Sequence, residues 1–138
     1  MKAEDLDVLA RTVYGEARGE GLDGQVAVAW VIVNRTTHGQ RFGGPAIVGV
    51  CLRPYQFSCW NADDPNLDVI RSASVEQPAF MQCFGVACLV LAGALPDPTM
   101  GATHYFADSI KAPKWVAGME PRAKIGAHNF FLEGGLRA

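Results

Sequence analysis

Apolar residues fall at helical spacing at the start of the chain, where Leu6, Leu9, Ala10 and Val13 recur every three or four positions. Glu4 and Asp5 precede them, where the positive end of a helix dipole favours acids. This pattern predicts a first helix ending near Gly15. The string Gly15-Glu16-Ala17-Arg18-Gly19-Glu20-Gly21 then reads as a loop. Asp23 is placed to cap a second helix running to about Asn34-Arg35, with Arg35 in the last turn, where a cation is favoured. Its stripe is Val26, Ala29, Trp30 and Val33, yet Val28, Val31 and Ile32 occupy the other faces. A helix apolar all round is buried, so this one is read as the centre of the fold and Trp30 as core.

The pattern weakens over residues 38–66, which are rich in Gly, Pro, Asn and Asp and read as mostly loop. A short helix is predicted from about Leu67 to Ser72. A longer one follows Pro78, with Phe80, Cys83, Phe84, Ala87, Cys88 and Leu91 inward and Gly93 and Pro96 as stops. Ala102–Phe106 and Ile125–Phe131 read as extended segments joined by a loop containing Pro and Lys. The expected fold is α+β, mostly helical, in one domain over residues 1–138.

Composition adds exclusions. A hydrophobic content of 49% with 19% charged residues describes a folded domain with a real core. A formal net charge of -2 gives no basic footprint for nucleic acid, which is not an expected partner. No apolar run approaches the ~20 residues of a membrane span, so stable membrane insertion is not expected. Met1-Lys2 runs directly into Glu4-Asp5 without the apolar stretch of a signal peptide, and the expectation is accumulation in the cytoplasm. Cys51, Cys59, Cys83 and Cys88 match no zinc spacing, and free thiols are favoured over disulfides.

Glu16 is the most informative polar position. If the first helix continues, it lies about 20° around the wheel from Leu9 and about 60° from Val13, extending the buried stripe. Burial and the negative helix end both raise a carboxyl pKa, which would suit a general acid for glycosidic cleavage. A solvated glutamate at a frayed helix end is the commoner outcome of such spacing. Glu20, Asp23, Asp63 and Asp64 are candidates for a second carboxylate, each more readily a turn or cap residue. Tyr14, Phe57, Trp60, Tyr105, Phe106 and Trp115 offer faces for sugar rings, or simply core. His104 and His128 have no metal-binding spacing and no acid cluster beside them, so neither a metal nor another cofactor is expected. A Cys/His amidase pairing Cys51 or Cys59 with either histidine is conceivable, although nothing local activates either thiol.

Longer strings narrow the choice. Tyr14-Gly15-Glu16-Ala17-Arg18-Gly19-Glu20, Gly24–Ala29, Val33-Asn34-Arg35, Gln56-Phe57-Ser58, Asp97-Pro98-Thr99, Gly101–Phe106 and Ile125–Phe130 stand in an order that strongly resembles the spore-cortex-lytic and related cell wall hydrolases. The likeness runs over roughly residues 5–131. It implies a lysozyme-like domain acting on peptidoglycan, often as a lytic transglycosylase, with Glu16 as catalytic acid. It carries Gln56, Phe57, Ser58, Thr103, His104, Tyr105, His128 and Asn129 over as groove or scaffold; Trp115 joins them as groove wall or lid. The four cysteines belong to no motif of the family. A catalytic domain without an export signal looks like a phage endolysin, a monomer that reaches the wall when a holin-like partner releases it. The alternatives are a hydrolytic muramidase, a wall-binding relative without turnover, and the Cys/His amidase.

Overall fold

Two layers close around one helix. The computed structural model describes residues 2–138. Its elements are α1 (Ala3–Ala17), α2 (Leu22–Arg35), α3 (Ile47–Leu52), α4 (Asn66–Ser72) and α5 (Pro78–Leu91), followed by β1 (His104–Ala107), β2 (Glu120–Ile125) and β3 (His128–Leu132). Single 3-10 turns form at Ser58–Trp60 and Lys114–Val116. The strands make one antiparallel sheet in the order β1-β3-β2. This is the mostly helical α+β domain expected from the pattern.

The all-round apolar surface of α2 has a direct cause. Val28, Ala29 and Ile32 join a helical core with Leu9, Val13, Phe80 and Cys83, while Ala27 and Val31 pack with Ala102 and Phe130 on the sheet side. Each fully buried Val, Leu, Ile or Phe side chain among these contributes about 1.5–3 kcal/mol. Trp30 is only half-buried, and packs against the helical core from its edge. On α5 the buried face is Phe80, Cys83, Val86, Ala87 and Val90, with Phe84, Cys88 and Leu91 half-covered beside it. All four cysteines are free thiols.

The structure departs from the pattern in four places. Helix α1 does not stop at Gly15 but continues to Ala17. Gly15 is a contact residue: a Cβ there would lie 2.8 Å from Cys59 Cβ and Sγ, so only glycine lets α1 approach the Ser58–Trp60 turn. Asp23 does not cap α2; Gly21 is the N-cap and Asp23 sits in the first turn, where it meets the dipole. The stretch 38–66 contains α3, which is too short for its periodicity to show among glycines and prolines. Strand β2 was hidden because Glu120–Ile125 is polar; it is an edge strand whose register shifts between Pro121 and Ala123, as suits a proline that cannot donate to a ladder.

One polar joint fixes the end of α2 to the start of the sheet. Asn34 Nδ2 donates to Asp97 Oδ2 (2.9 Å) and to the Ala102 carbonyl (3.0 Å). The same Asp97 carboxylate accepts from Thr99 N, Thr99 Oγ1 and Gly101 N at 2.7–2.9 Å. The turn that launches β1 is thereby held on the helix that also carries Arg35.

Candidate active site

The extra turn of α1 sets the position of Glu16. Its Oε1 accepts a 2.6 Å hydrogen bond from Tyr105 Oη on β1, across 89 residues of sequence. The two side chains face a cavity of about 430 Å³ whose walls also include Arg35, Tyr55, Gln56, Phe57, His104 and Trp115. That volume lies within the range of small-ligand sites. Glu16 is its one carboxylate among the described residues.

Burial dominates the chemistry of that carboxyl and raises its pKa above the ordinary glutamate value. Hydrogen bonds from Tyr105 and Cys59 and the charge of Arg35 pull the other way, and Asp64 adds a smaller upward push. Burial wins. Burial together with the neighbouring Glu16 holds the Tyr105 hydroxyl well above its usual range, so it stays a donor. With Oε1 accepting from Tyr105, a protonated Glu16 carries its hydrogen on Oε2.

Sequence position marks Arg35 only as a helix-end cation. It is 7% exposed and lies between the rings of Phe42 and Phe57, at 5.1 and 5.2 Å. Its Nε donates to the Thr103 carbonyl at 2.8 Å and its Nη1 to Gln56 Oε1 at 3.3 Å. Burial lowers its pKa, yet guanidinium remains charged in proteins. The signal for it was available: an arginine closing a helix apolar on every face has nowhere to go but inward. Tyr55, also on the cavity wall, lies in the stretch whose composition reads as mostly loop.

The residues singled out from sequence divide into two groups. Gln56, Phe57, His104, Tyr105 and Trp115 line the cavity with Glu16. Phe57 is 3% exposed and supports Arg35 more than it offers a face. Burial holds His104 neutral by lowering its pKa to about 4, and its ring lies 5.3 Å from Trp115. Ser58, Thr103, His128 and Asn129 do not line the cavity. Ser58 begins the 3-10 turn, and fully buried Thr103 accepts from Glu133 N at 3.0 Å. Asn129 Nδ2 donates to Asp108 at 2.6 Å on an exposed strand end. His128 Nδ1 lies 2.9 Å from Glu20 Oε1, and its ring meets Tyr105 edge-to-face at 5.3 Å.

That contact ties the loop after α1 to β3, and Glu20 is not among the residues that line the cavity. Asp64 is likewise engaged, capping the Asn66 amide at 2.8 Å. The thiols are not activated: burial raises both Cys51 and Cys59 to about 12. Among the described residues no three His, Cys, Asp or Glu side chains form a metal-binding group, and no helix is long and apolar enough to cross a membrane.

A mostly helical α+β domain with this cavity matches a known class. Residues 19–131 match the family model described as Cell Wall Hydrolase, and the chain belongs to that family. The matched span begins just after Glu16. Among curated proteins, the chain is 32% identical over 128 residues to a spore cortex-lytic enzyme of Bacillus subtilis (strain 168), covering 91% of this chain and 37% of that protein. A spore cortex-lytic enzyme of Halalkalibacterium halodurans is 33% identical over 132 residues, covering 91% and 34%. The chain thus spans a little over a third of these relatives. Among solved structures, it resembles the catalytic domain of the germination-specific lytic transglycosylase SleB from Bacillus anthracis, with a TM-score of 0.71, 31% identity, and coverage of 95% of this chain and 96% of that one. The catalytic domain of the Bacillus cereus SleB protein gives 0.70, 30%, 95% and 91%.

Proposed function

We propose that this domain cleaves the glycan strand of peptidoglycan between N-acetylmuramic acid and N-acetylglucosamine as a lytic transglycosylase, with Glu16 as acid and then base. The observation that carries the reading is Glu16 itself: a buried carboxyl with a raised pKa, held by Tyr105 at 2.6 Å on the wall of a ligand-sized cavity. Kinship with spore cortex-lytic enzymes supports the substrate, and likeness to a lytic transglycosylase domain supports the reaction.

Glu16 donates its proton to the bridging oxygen, and the bond to the muramyl anomeric carbon breaks through an oxocarbenium-like state. Arg35, fixed in the same wall, stabilises the carboxylate left behind. That carboxylate then takes the proton of the muramyl 6-hydroxyl as its oxygen closes on the anomeric carbon. The product is a 1,6-anhydro end, no water is consumed, and Glu16 recovers its proton. Because the nucleophile belongs to the sugar, a single carboxylate on the cavity suffices. Water in place of the 6-hydroxyl would make the enzyme a muramidase.

Mass spectrometry of sacculi digested by wild type and Glu16→Gln tests the proposal. Anhydro ends from wild type alone are expected; products one water heavier with reducing ends would replace it with hydrolysis. The cellular role we attach to this activity is endolysin-type lysis by a monomer, accumulated in the cytoplasm and released by a holin-like partner. Expression with and without a pore-forming partner checks it, lysis being expected only with the partner.

A further inference from the structure

Glu20 and His128 both belong to the strings that mark the family, yet neither lines the cavity. His128 touches Tyr105, and Glu20 holds His128. We infer that these two are positioning residues, a joint that keeps the Tyr105 ring where its hydroxyl meets Glu16. The inference rests on the glycan-cleaving reading above.

The sheet register brings the parts together. His128 and Phe130 share one face of β3, and Phe130 pairs with Tyr105 on β1. The Tyr105 ring thus rests against two neighbours, Phe130 at 5.7 Å and His128 edge-to-face at 5.3 Å. Phe130 is 1% exposed and packed with Ala27, Val31 and Ala102. His128 instead begins the strand beside the Gly126-Ala127 turn, and a hydrogen bond fixes its ring. Next to a carboxylate its Nδ1 carries the hydrogen, and it donates to Glu20 Oε1 at 2.9 Å.

Glu20 is held in its turn. Its amide donates to the Ala17 carbonyl at 2.9 Å, and its own carbonyl accepts from Gln25 Nε2 at 3.2 Å. Gln25 is buried, and its Oε1 accepts from Gln82 on α5 at 2.9 Å. The loop after α1 is therefore pinned to α2 and α5 before its carboxylate reaches the sheet. One short segment grips the sheet twice, by Glu16 through Tyr105 and by Glu20 through His128. Only the first grip touches the acid, whose hydrogen bonds come from Tyr105 and Cys59. What Glu20 and His128 do to Glu16 passes through the Tyr105 ring.

The test reads Glu16 in the protein alone, through the ¹³C signal of its carboxyl during a pH titration. Turnover of sacculi is measured beside it. The Tyr105 bond favours ionised Glu16, so Glu20→Ala should move the titration midpoint up. It should lower kcat by no more than about 5-fold, the factor one hydrogen bond allows, and leave KM unchanged. Glu20→Gln keeps an acceptor for His128 and should restore both readings. His128→Ala, made from the other side of the joint, should act as Glu20→Ala does. In a Tyr105→Phe background Glu20→Ala should add nothing, because the hydroxyl it positions is gone. A midpoint unmoved in folded Glu20→Ala and His128→Ala, or effects that add to those of Tyr105→Phe, would overturn the inference. Glu20 would then be a plain tie between loop and sheet. Failure of the cleavage reading would show separately, as sacculi left intact by a protein whose Glu16 titration still answers to Glu20→Ala.

Discussion

The two walls of the candidate active-site cavity are built on different principles. Glu16 and Arg35 end helices whose inward faces are aliphatic and fully buried, such as Leu9, Val13, Val28 and Ile32. Tyr105, His104 and Trp115 belong to the sheet side, where aromatic rings meet in pairs: Tyr105 with Phe130, His104 with Trp115, and Phe106 stacked on Phe131 at 5.4 Å. The helical wall is over-determined by many interchangeable contacts. The sheet wall depends on a few directional ones. The hydrogen bond from Tyr105 to Glu16 is where the two meet, so the acid is positioned by one layer and tuned by the other.

The largest expected effect separates chemistry from fold. Glu16→Gln keeps the shape of the side chain and should remain folded while sacculus turnover falls at least ~100-fold, the usual loss with a general acid. It should also gain thermal stability at neutral pH. The folded-state pKa of Glu16 lies above 4.5, so the folded protein retains a proton that the unfolded chain has lost, and wild-type stability falls as pH rises through that window. The two melting curves should converge below pH 4.5, where wild-type Glu16 is protonated in both states. Near-normal turnover in the variant would remove the assignment. Ile32→Ala does the reverse. It should cost about 2–5 kcal/mol in denaturant melts and reduce activity only as far as the folded fraction falls.

This division also explains what sequence could reveal. Helical periodicity made α1, α2 and α5 readable, and the uniform apolarity of α2 indicated burial on both sides. Helix α3 has too few residues for a period, and β2 is a polar edge strand with a proline, so neither carries a hydrophobic signature. Within the site, wheel position and motif pointed to Glu16, but its last turn exists because Gly15 fits against Cys59, a contact 44 residues away that no local pattern encodes. Motif strings likewise did not distinguish residues on the cavity from those beneath it. Tyr105 and Thr103 share one string, yet Tyr105 on β1 reaches Glu16, whereas Thr103, just before the strand, is fully buried and spends its hydroxyl on the Glu133 amide.

Tyr105→Phe sharpens the comparison at the joint between the walls. The ring and its contacts with His128 and Phe130 stay, and only the hydroxyl is lost. Removing a hydrogen bond that lowers the Glu16 pKa should move it further up, so the alkaline limb of the rate profile shifts to higher pH. Turnover at the optimum should fall by about 5-fold, as one hydrogen bond of this kind contributes roughly 1 kcal/mol. A pH–rate profile measured on sacculi would show both, and an alkaline limb that moves down instead would contradict the balance of causes given for Glu16.

The smallest effect belongs to His104, where the sheet wall carries its own titratable group. Its ring packs against Phe42 at 5.8 Å and Trp115 at 5.3 Å, with Nδ1 3.0 Å from Thr103 Oγ1. Burial, Arg35 and Arg41 oppose its protonation, Glu133 favours it, and the sum lowers its pKa to about 4 from 6.5. Between those values the unfolded chain binds a proton that the folded protein refuses, so stability is lost as pH falls through this window. Thermal melts of wild type and His104→Gln from pH 7 to pH 4 isolate this contribution, because every other group titrates in both proteins. The variant should lose less over that range, by on the order of 3 °C in Tm, since a partly solvated ring is screened. Parallel melting curves would mean that His104 protonates freely in place, and the sheet wall would then hold a cation as the helical wall holds Arg35.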